Sequence, residues 1–320
     1  MMRSFLIYLS KADWACRTVT KWKLARQVSG RFVAGEELEQ AIEVIKQLND
    51  RGINATLDHL GERTTNPEHA AQATRDILEL FDVIDKTGVR SNVSIKLTQI
   101  GLALDMALCA DNLKKIIEKV KKHNTFLRID MEDSQWVDKT LELYRFARES
   151  CGCENIGVVI QSYLYRSEED IKNLKKYAAR IRLCKGAYKE PEEIAYPKKV
   201  DVDANFDRLA TLLIQSSLDN GIPKISTNGR IPPIPAIATH DEQRITFAKE
   251  SVTRLGLPKE AIEFQMLYGI RRDLQERLVL EGYPVRVYVP YGTEWYPYFV
   301  RRLAERPANL WFFVSNLFRR

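Results

Sequence analysis

The feature that most constrains the fold of this chain is an alternation of short β-branched runs with longer amphipathic stretches. Such alternation is typical of βα units, in which a helix returns the chain to a parallel sheet after each strand. Eight runs qualify as strands. They are Ile53–Asp58, Asn92–Leu97, Phe126–Met131, Gly157–Gln161, Arg180–Lys185, Pro235–Thr239, Ile262–Met266 and Val285–Val289.

The stretches between these runs carry apolar residues at three- and four-residue spacing, which predicts amphipathic helices. They are Glu37–Asn49, Ala70–Asp85, Leu113–Lys122, Val137–Glu149, Ser167–Ala178, Asn205–Asp219, Asp241–Leu255, Arg271–Leu280 and Tyr298–Glu305. Each strand therefore has a helix beside it. Eight such units close a barrel more naturally than they form an open sheet, so we predict the α/β class and a (βα)8 TIM-type barrel.

The chain has 320 residues, more than the roughly 250 that one barrel of this type needs. We expect an N-terminal helical extension over residues 1–35, a catalytic barrel over 36–308 and a helical C-terminal tail over 309–320. The tail contains Trp311, Phe312 and Phe313. We expect it to dock on its own domain, with a membrane or partner contact as the alternative.

Composition excludes several classes of protein. The net charge of +6 comes from scattered basic pairs interleaved with acidic residues, so no nucleic-acid footprint is present. Five cysteines without a CxxC pair argue against a disulfide framework and favour a reducing cytoplasm. No stretch approaches the roughly 18 apolar residues of a membrane span. We expect a soluble, cytoplasmic protein, with peripheral association at the inner membrane left open.

Polar residues concentrate where the predicted strands end, which is where barrel enzymes build their active sites. They are Asp58, Lys96, Asp130, Gln161, Lys185, Thr239, His240, Gln265 and Tyr288. For the two aspartates, capping of the following helix is the alternative role. Lys96, between apolar neighbours, requires an anionic partner inside the barrel. Four histidines without ligand spacing argue against a metal, and no GxGxxG or P-loop motif is present.

Two segments are most informative about ligands. The segment Arg182–Tyr188 places two cations beside Gly186, which suits a polyanionic cofactor. The adjacent Arg301 and Arg302 lie near the start of the last helix and can straddle one small carboxylate above the barrel mouth. A solvated face with an Arg301–Glu305 ion pair is the alternative for this second segment.

These residues, taken in order, resemble the proline dehydrogenase family, both its short monofunctional bacterial enzymes and the matching domain of the bifunctional proline utilisation A proteins. The resemblance rests on an ordered set of motifs rather than on a single match. The motifs are Leu60–Glu62, Ser94–Thr98, Arg128–Glu132, Val159–Tyr163, Arg182–Tyr188, Ala236–Asp241, Glu263–Gly269, Arg286–Gly292 and Arg301-Arg302 with Glu305.

The resemblance implies FAD across the barrel mouth and oxidation of L-proline to 1-pyrroline-5-carboxylate by hydride transfer to flavin N5, the first step of proline catabolism to glutamate. It implies two catalytic residues, Asp130 holding Lys96 in place and Arg182 near N5. The implied substrate-binding residues are Lys96, Tyr288, Arg301, Arg302 and Glu62. The implied cofactor-binding residues are Met131, Gln161, Arg182, Lys185, Gly186, Ala187, Tyr188, Thr239 and His240.

The resemblance also implies a membrane quinone as electron acceptor. One competing enzyme hypothesis places a Schiff-base aldolase or lyase on the same barrel, with Lys96 or Lys185 as the amine nucleophile. That enzyme would be colourless, whereas a flavin enzyme would be yellow. A non-catalytic lipid-binding or scaffold protein is the third hypothesis, and it leaves the polar barrel mouth unexplained.

Overall fold

A computed structural model of the chain describes residues 29–61 and 64–305, apart from the side chains of residues 301 and 303–305. Eight parallel strands pair in chain order, and β1 closes the sheet by pairing with β8. The predicted barrel is therefore confirmed. The strands are β1 Asn54–His59, β2 Ser91–Ile95, β3 Leu127–Ile129, β4 Ile156–Gln161, β5 Arg180–Cys184, β6 Pro235–Ala238, β7 Glu263–Leu267 and β8 Val285–Tyr291.

The described helices, all but the last, pack their apolar stripes against the outside of the strands, as their periodicity predicts. They are α1 Leu38–Asp50, α2 Pro67–Thr87, α3 Met106–Lys122, α4 Val137–Glu149, α5 Ser167–Lys175, α6 Lys199–Asp219, α7 Glu242–Leu255, α8 Arg272–Leu280 and α9 Trp295–Glu305. Across the described part of the chain, no helix has the length and apolarity that a bilayer crossing requires.

Several helices begin earlier than the apolar pattern predicts, and polar caps account for two of these early starts. The Asn66 side chain accepts a hydrogen bond from the backbone N–H of His69, so α2 begins three residues before Ala70. Asp105 accepts from the N–H of Leu108 in the same way and starts α3 well before Leu113. A short polar side chain at this position satisfies N–H groups that lack a helical partner.

Most of the predicted N-terminal extension and all of the tail over 309–320 lie outside the described residues. Residues Phe32–Gly35, which we assigned to the extension, are attached to the barrel. The N–H of Ala34 donates to Pro290 O at 2.8 Å, and Gly292 N donates to Gly35 O at 3.0 Å. This segment therefore lies beside the C-terminal end of β8.

The opposite end of the barrel is closed by the loop before β6. Arg286 Nη2 donates to Gly229 O at 2.6 Å, and Asn92 Nδ2 donates to Arg230 O at 2.9 Å. Gly229 has φ +67°, and a Cβ there would lie 2.2 Å from Asn54 Oδ1. The loop thus plugs the N-terminal end of the barrel and leaves the other end as the open mouth.

Candidate active site

A buried ion pair joins the ends of β1 and β2. Strand alternation turns Asp58 into the barrel, where it is fully buried. Its two carboxylate oxygens lie 3.1 and 3.4 Å from Lys96 Nζ. Asp58 therefore supplies the anionic partner that the sequence requires for Lys96, a role that we had not assigned to it.

Asp130, which follows β3, connects three strands. Its Oδ1 accepts hydrogen bonds from Ser94 Oγ at 2.6 Å and from Arg182 Nη1 at 2.7 Å. Its Oδ2 accepts from the Tyr288 hydroxyl at 2.8 Å and lies 4.0 Å from Lys96 Nζ. The predicted holder of Lys96 is thus the more distant of its two carboxylates, and Asp130 binds Arg182 and Tyr288 more closely.

The electrostatics keep Lys96 protonated. Burial alone would lower the pKa of its ammonium, but the charges of Asp58 and Asp130 outweigh that effect and raise the pKa above its ordinary value. Burial has the opposite effect on the Tyr288 hydroxyl, whose pKa it raises, and the charges of Asp130 and Asp58 add to that rise. A Schiff-base enzyme needs a neutral amine, so this environment opposes the aldolase hypothesis for Lys96.

The last helix lies over the mouth. Its residues Trp295 and Phe299 belong to an apolar cluster that includes Leu60, after β1, and Ile270, after β7, with Tyr288 packed against it. Arg302 is buried to 9% exposure, and its guanidinium lies 5.0 Å from the Tyr298 ring centroid. The site prediction for Glu62 and for the Arg301 side chain lies outside what the structure describes.

The predicted cofactor segment leaves β5 and borders a cavity of about 510 Å³, lined in part by Tyr163, Lys185, Gly186 and Tyr188. Gly186 has φ +113°, and a Cβ there would lie 2.3 Å from the Tyr163 ring. Glycine is therefore required by the backbone and by this aromatic contact. The segment is suited to approach a ligand closely.

Lys185 is held by carboxylates at the edge of the same cavity. Its Nζ donates to Asp241 Oδ2 at 2.6 Å and to Asp203 Oδ1. An ammonium held in two ion pairs is a poor nucleophile, so the aldolase hypothesis has no support at Lys185 either. For a phosphate-binding lysine, the two carboxylates fix the direction of the side chain.

Comparison with known proteins decides the family. The family model for proline dehydrogenase matches residues 41–314. The chain is 39% identical over 315 residues to proline dehydrogenase 2 of Bacillus subtilis, covering 98% of both chains. It is 43% identical over 299 residues to proline dehydrogenase of Deinococcus radiodurans, covering 92% of this chain and 90% of that one. The chain belongs to the proline dehydrogenase family.

A solved relative shares the fold. The structure of proline utilization A from Bdellovibrio bacteriovorus inactivated by N-propargylglycine superimposes with a TM-score of 0.79 at 27% identity. The match covers 88% of this chain and 33% of that one, so this chain spans about a third of its length. Membership of the proline dehydrogenase family makes this protein an oxidoreductase of proline metabolism.

The remaining predicted cofactor residues lie at the ends of β3, β4 and β6. Gln161 is buried and donates from Nε2 to Glu132 O at 3.0 Å. Met131, which follows Asp130 in the sequence, is also buried. Thr239 Oγ1 accepts from the N–H of Asp241 at 3.1 Å, and His240 Nε2 accepts from the N–H of Leu267 at 3.0 Å.

Ala187 is exposed and Tyr188 is half-buried in the loop after β5. A bond from a backbone N–H requires His240 Nε2 to be unprotonated, so the ring carries its proton on Nδ1 when neutral. His240 therefore faces β7 through its acceptor nitrogen. The structure brings together Lys96, Asp130, Arg182 and Tyr288. It places Lys185, Gly186 and Tyr188 of the loop after β5 along the neighbouring cavity.

Sequence reasoning placed Gln265 among the polar strand-end residues without a specific role, and it gave no role to Glu263 on β7 or Arg286 on β8. Gln265 accepts from Arg182 Nε at 2.5 Å and donates to Glu263 Oε1 at 2.6 Å. Glu263 in turn pairs with Arg286, whose Nε lies 2.8 Å away. The signal was present, because Glu263 with Gln265 and Arg286 with Tyr288 lie two positions apart along their strands and so share the inward face.

Proposed function

We propose that this family member oxidises L-proline to 1-pyrroline-5-carboxylate with FAD as the hydride acceptor, the first step of proline catabolism to glutamate. One observation carries the proposal: a buried, mutually paired set of charges at the barrel mouth, formed by Lys96, Asp58, Asp130 and Arg182. Such a set can hold a small zwitterion in a fixed orientation. We assign this activity to the barrel over residues 36–308.

The substrate carboxylate binds Lys96, with Arg301 and Arg302 closing over it from α9. Support comes from the protonated state of Lys96 and from the buried position of Arg302 on the helix that covers the mouth. Tyr288 packs on the pyrrolidine ring while its hydroxyl stays bonded to Asp130. We further assign Glu62 to pairing with an arginine of α9. The carboxylate does not change during the reaction, so this anchor acts as uniform binding.

The two residues proposed as catalytic have distinct roles. Asp130 fixes the positions of Arg182 and Tyr288 through direct hydrogen bonds. Its negative charge, 4.0 Å from Lys96 Nζ, also favours the protonated form of that lysine. Arg182 has its Nε and Nη1 engaged, and its buried Nη2 has no partner among the described residues. A buried donor of this kind suits a ligand acceptor atom, here one near the flavin N5.

The residues along the cavity fit FAD. Lys185 offers a point charge for a phosphate, Gly186 allows close backbone approach, and Gln161, Met131, Ala187, Tyr188, Thr239 and His240 complete the proposed cofactor site. Bound FAD would supply a two-electron acceptor for the hydride. The substrate loses that hydride from the ring carbon beside nitrogen when the nitrogen lone pair is unprotonated, and a carbon–nitrogen double bond remains.

The test is anaerobic mixing of the purified, FAD-loaded protein with L-proline. We expect the oxidised flavin absorption to disappear and the cyclic imine product to form in equal amount. Lys96→Met should abolish saturation by proline, whereas Lys172→Met should not, because Lys172 is exposed on α5 and forms its ion pair with its helical neighbour Glu168. A yellow protein whose spectrum proline leaves unchanged would refute the function.

We also propose a membrane quinone as the acceptor that reoxidises the reduced flavin, with transient docking to anionic membranes. The net charge of +6 and the aromatic tail over 309–320 support this hypothesis. Co-sedimentation with anionic vesicles should weaken when the tail is removed. Binding that the truncation leaves unchanged would remove the tail from the hypothesis.

A further inference from the structure

The inward faces of β5, β7 and β8 carry a connected chain of polar side chains that runs down the barrel from the mouth. Arg182 bonds to Gln265, Gln265 bonds to Glu263, and Glu263 bonds to Arg286. Arg286 then reaches the plug by donating to Gly229 O. All four side chains are buried, with exposures of 7% or less. Barrel interiors are usually filled by branched apolar residues. Burying these four polar side chains costs folding free energy, so we expect a function that requires them.

The amide of Gln265 has only one orientation that satisfies both neighbours. Arg182 Nε can only donate, and the Glu263 carboxylate, bound at two points by Arg286, can only accept. Gln265 must therefore turn Oε1 toward Arg182, at 2.5 Å, and Nε2 toward Glu263, at 2.6 Å. The buried ion pair below thus dictates which atom Arg182 meets.

Two hydrogen-bonded nitrogens, together with the covalent bond from Nε to Cδ, determine the plane of a guanidinium, because the group is rigid and planar. In Arg182 these nitrogens are Nε, bound to Gln265, and Nη1, bound to Asp130 at 2.7 Å and to Ser94 at 3.3 Å. Nη2 then points in a set direction, and it is the buried nitrogen with no partner among the described residues. The direction of this donor depends on Gln265 as much as on Asp130.

We infer that Gln265 is a positioning residue for Arg182, held in its orientation by the Glu263–Arg286 pair. The inference rests on the proposed function for its kinetic consequence. Its structural content, the orientation of the Arg182 guanidinium, stands independently of that function. A purely structural role for Gln265 predicts lost stability with unaltered chemistry, so the two roles can be separated.

The test is a double-mutant cycle that combines Gln265→Met with Arg182→Met in the FAD-loaded protein. Methionine keeps the volume of glutamine and removes both hydrogen-bonding groups. We expect Gln265→Met to lower the rate of flavin reduction by proline by about 10- to 100-fold, the effect of a small misplacement. In the Arg182→Met background the same change should have almost no effect, because Gln265 acts through Arg182.

A matched control is Gln275→Met on α8. Gln275 is also a buried glutamine, and its Nε2 donates to Ile270 O at 2.8 Å. This variant should lose stability while flavin reduction stays unchanged. Equal kinetic effects of Gln265→Met in the two Arg182 backgrounds would overturn the inference, and so would a slow Gln275→Met enzyme.

Further measurements separate this inference from the proposed function. The absorption spectrum and reduction potential of the bound flavin, measured without substrate, should change in Gln265→Met and in Arg182→Met but not further in the double variant. If proline does not reduce the flavin but the variants change the flavin spectrum and potential in this way, the proposed function is refuted and the inference about Gln265 stands. Should no flavin bind, a crystal structure of Gln265→Met decides, and an unmoved Arg182 guanidinium would overturn the inference.

Discussion

The substitution Asp58→Asn tests the charge arrangement at the mouth most directly. It removes the charge of a fully buried carboxylate and almost preserves its shape. Lys96, with 17% of its side chain exposed, then keeps Asp130 as a carboxylate 4.0 Å away in place of one at 3.1 Å. A buried ammonium is left incompletely compensated, and this is the source of the expected loss.

The magnitude follows from that geometry. Removing one partner of a buried ion pair costs about 3–5 kcal/mol. Because Asp130 remains and Lys96 is partly exposed, we expect the lower end, about 3 kcal/mol. The assay is urea unfolding at neutral pH with the flavin concentration held constant, since a bound ligand raises apparent stability. The m-value should stay the same, so that the midpoint reports stability alone.

Asp82→Asn is the matched control. Asp82 also pairs with a lysine, Lys119 at 2.7 Å, but its side chain is 52% exposed. Exposed pairs contribute about 0–1 kcal/mol, so this variant should remain near wild type. Equal destabilisation by Asp58→Asn and Asp82→Asn would refute the reasoning. In the active enzyme Asp58→Asn should also raise KM for proline more than it lowers kcat, because Lys96 provides uniform binding.

Three other expectations concern the framework around the site. Gly157→Ala should destabilise the fold by about 1–3 kcal/mol through overpacking, because the added Cβ would lie 2.2 Å from the carbonyl oxygen of Arg180; an unchanged urea midpoint would contradict this. Glu190→Gln should weaken flavin binding several-fold in a fluorescence titration, since Glu190 fastens the cofactor loop to Ser134 at 2.6 and 2.7 Å. Burial raises the pKa of Asp207 to about 6 from an ordinary 3.8. The folded state therefore binds this proton more tightly than the unfolded state does. As pH falls from about 6 to 4, the group adds to the free energy of unfolding by at most about 1.4 kcal/mol per pH unit. Asp207→Asn should remove that slope from a plot of melting temperature against pH, and an identical slope would disprove the assignment.

The fold was predictable because the two signals that define it are local. Period-two and period-3.6 patterns located all eight strands and the helices beside them, and strand count and order then determined the barrel. The errors lie at helix starts such as Asn66 and Asp105, where a polar cap precedes the first apolar residue. Apolar periodicity does not record such caps.

The sequence predicted which residues form the site better than it predicted which of them contact one another. The sequence places Lys96, Asp58 and Asp130 at neighbouring strand ends, but it does not say which carboxylate is nearer to the lysine. That depends on the stagger of the closed barrel, which brings Asp58 to 3.1 Å and leaves Asp130 at 4.0 Å. Pairings across the barrel, such as Arg182 with Gln265, depend on closure and have no local signal.

Three strands of this barrel direct polar side chains inward in two layers, one at the mouth and one below it. Asp130, Gln265 and Tyr288 reach the mouth, and two residues before each of them a charged side chain points inward below it: Arg128, Glu263 and Arg286. Positions fixed by strands are more precise than positions on loops. The proposed substrate end of the site lies on this rigid double layer.

The proposed cofactor end lies mainly on loops after the strands, above all the one that carries Lys185, Gly186 and Tyr188, where backbone freedom is greater. Substitutions in the lower strand layer should therefore disturb substrate orientation before they disturb cofactor retention. Substitutions in the loop should act in the opposite order. This separation follows from where each residue lies in the fold, and it explains why charges as costly as Glu263 and Arg286 remain in a barrel core that apolar residues would fill at lower cost.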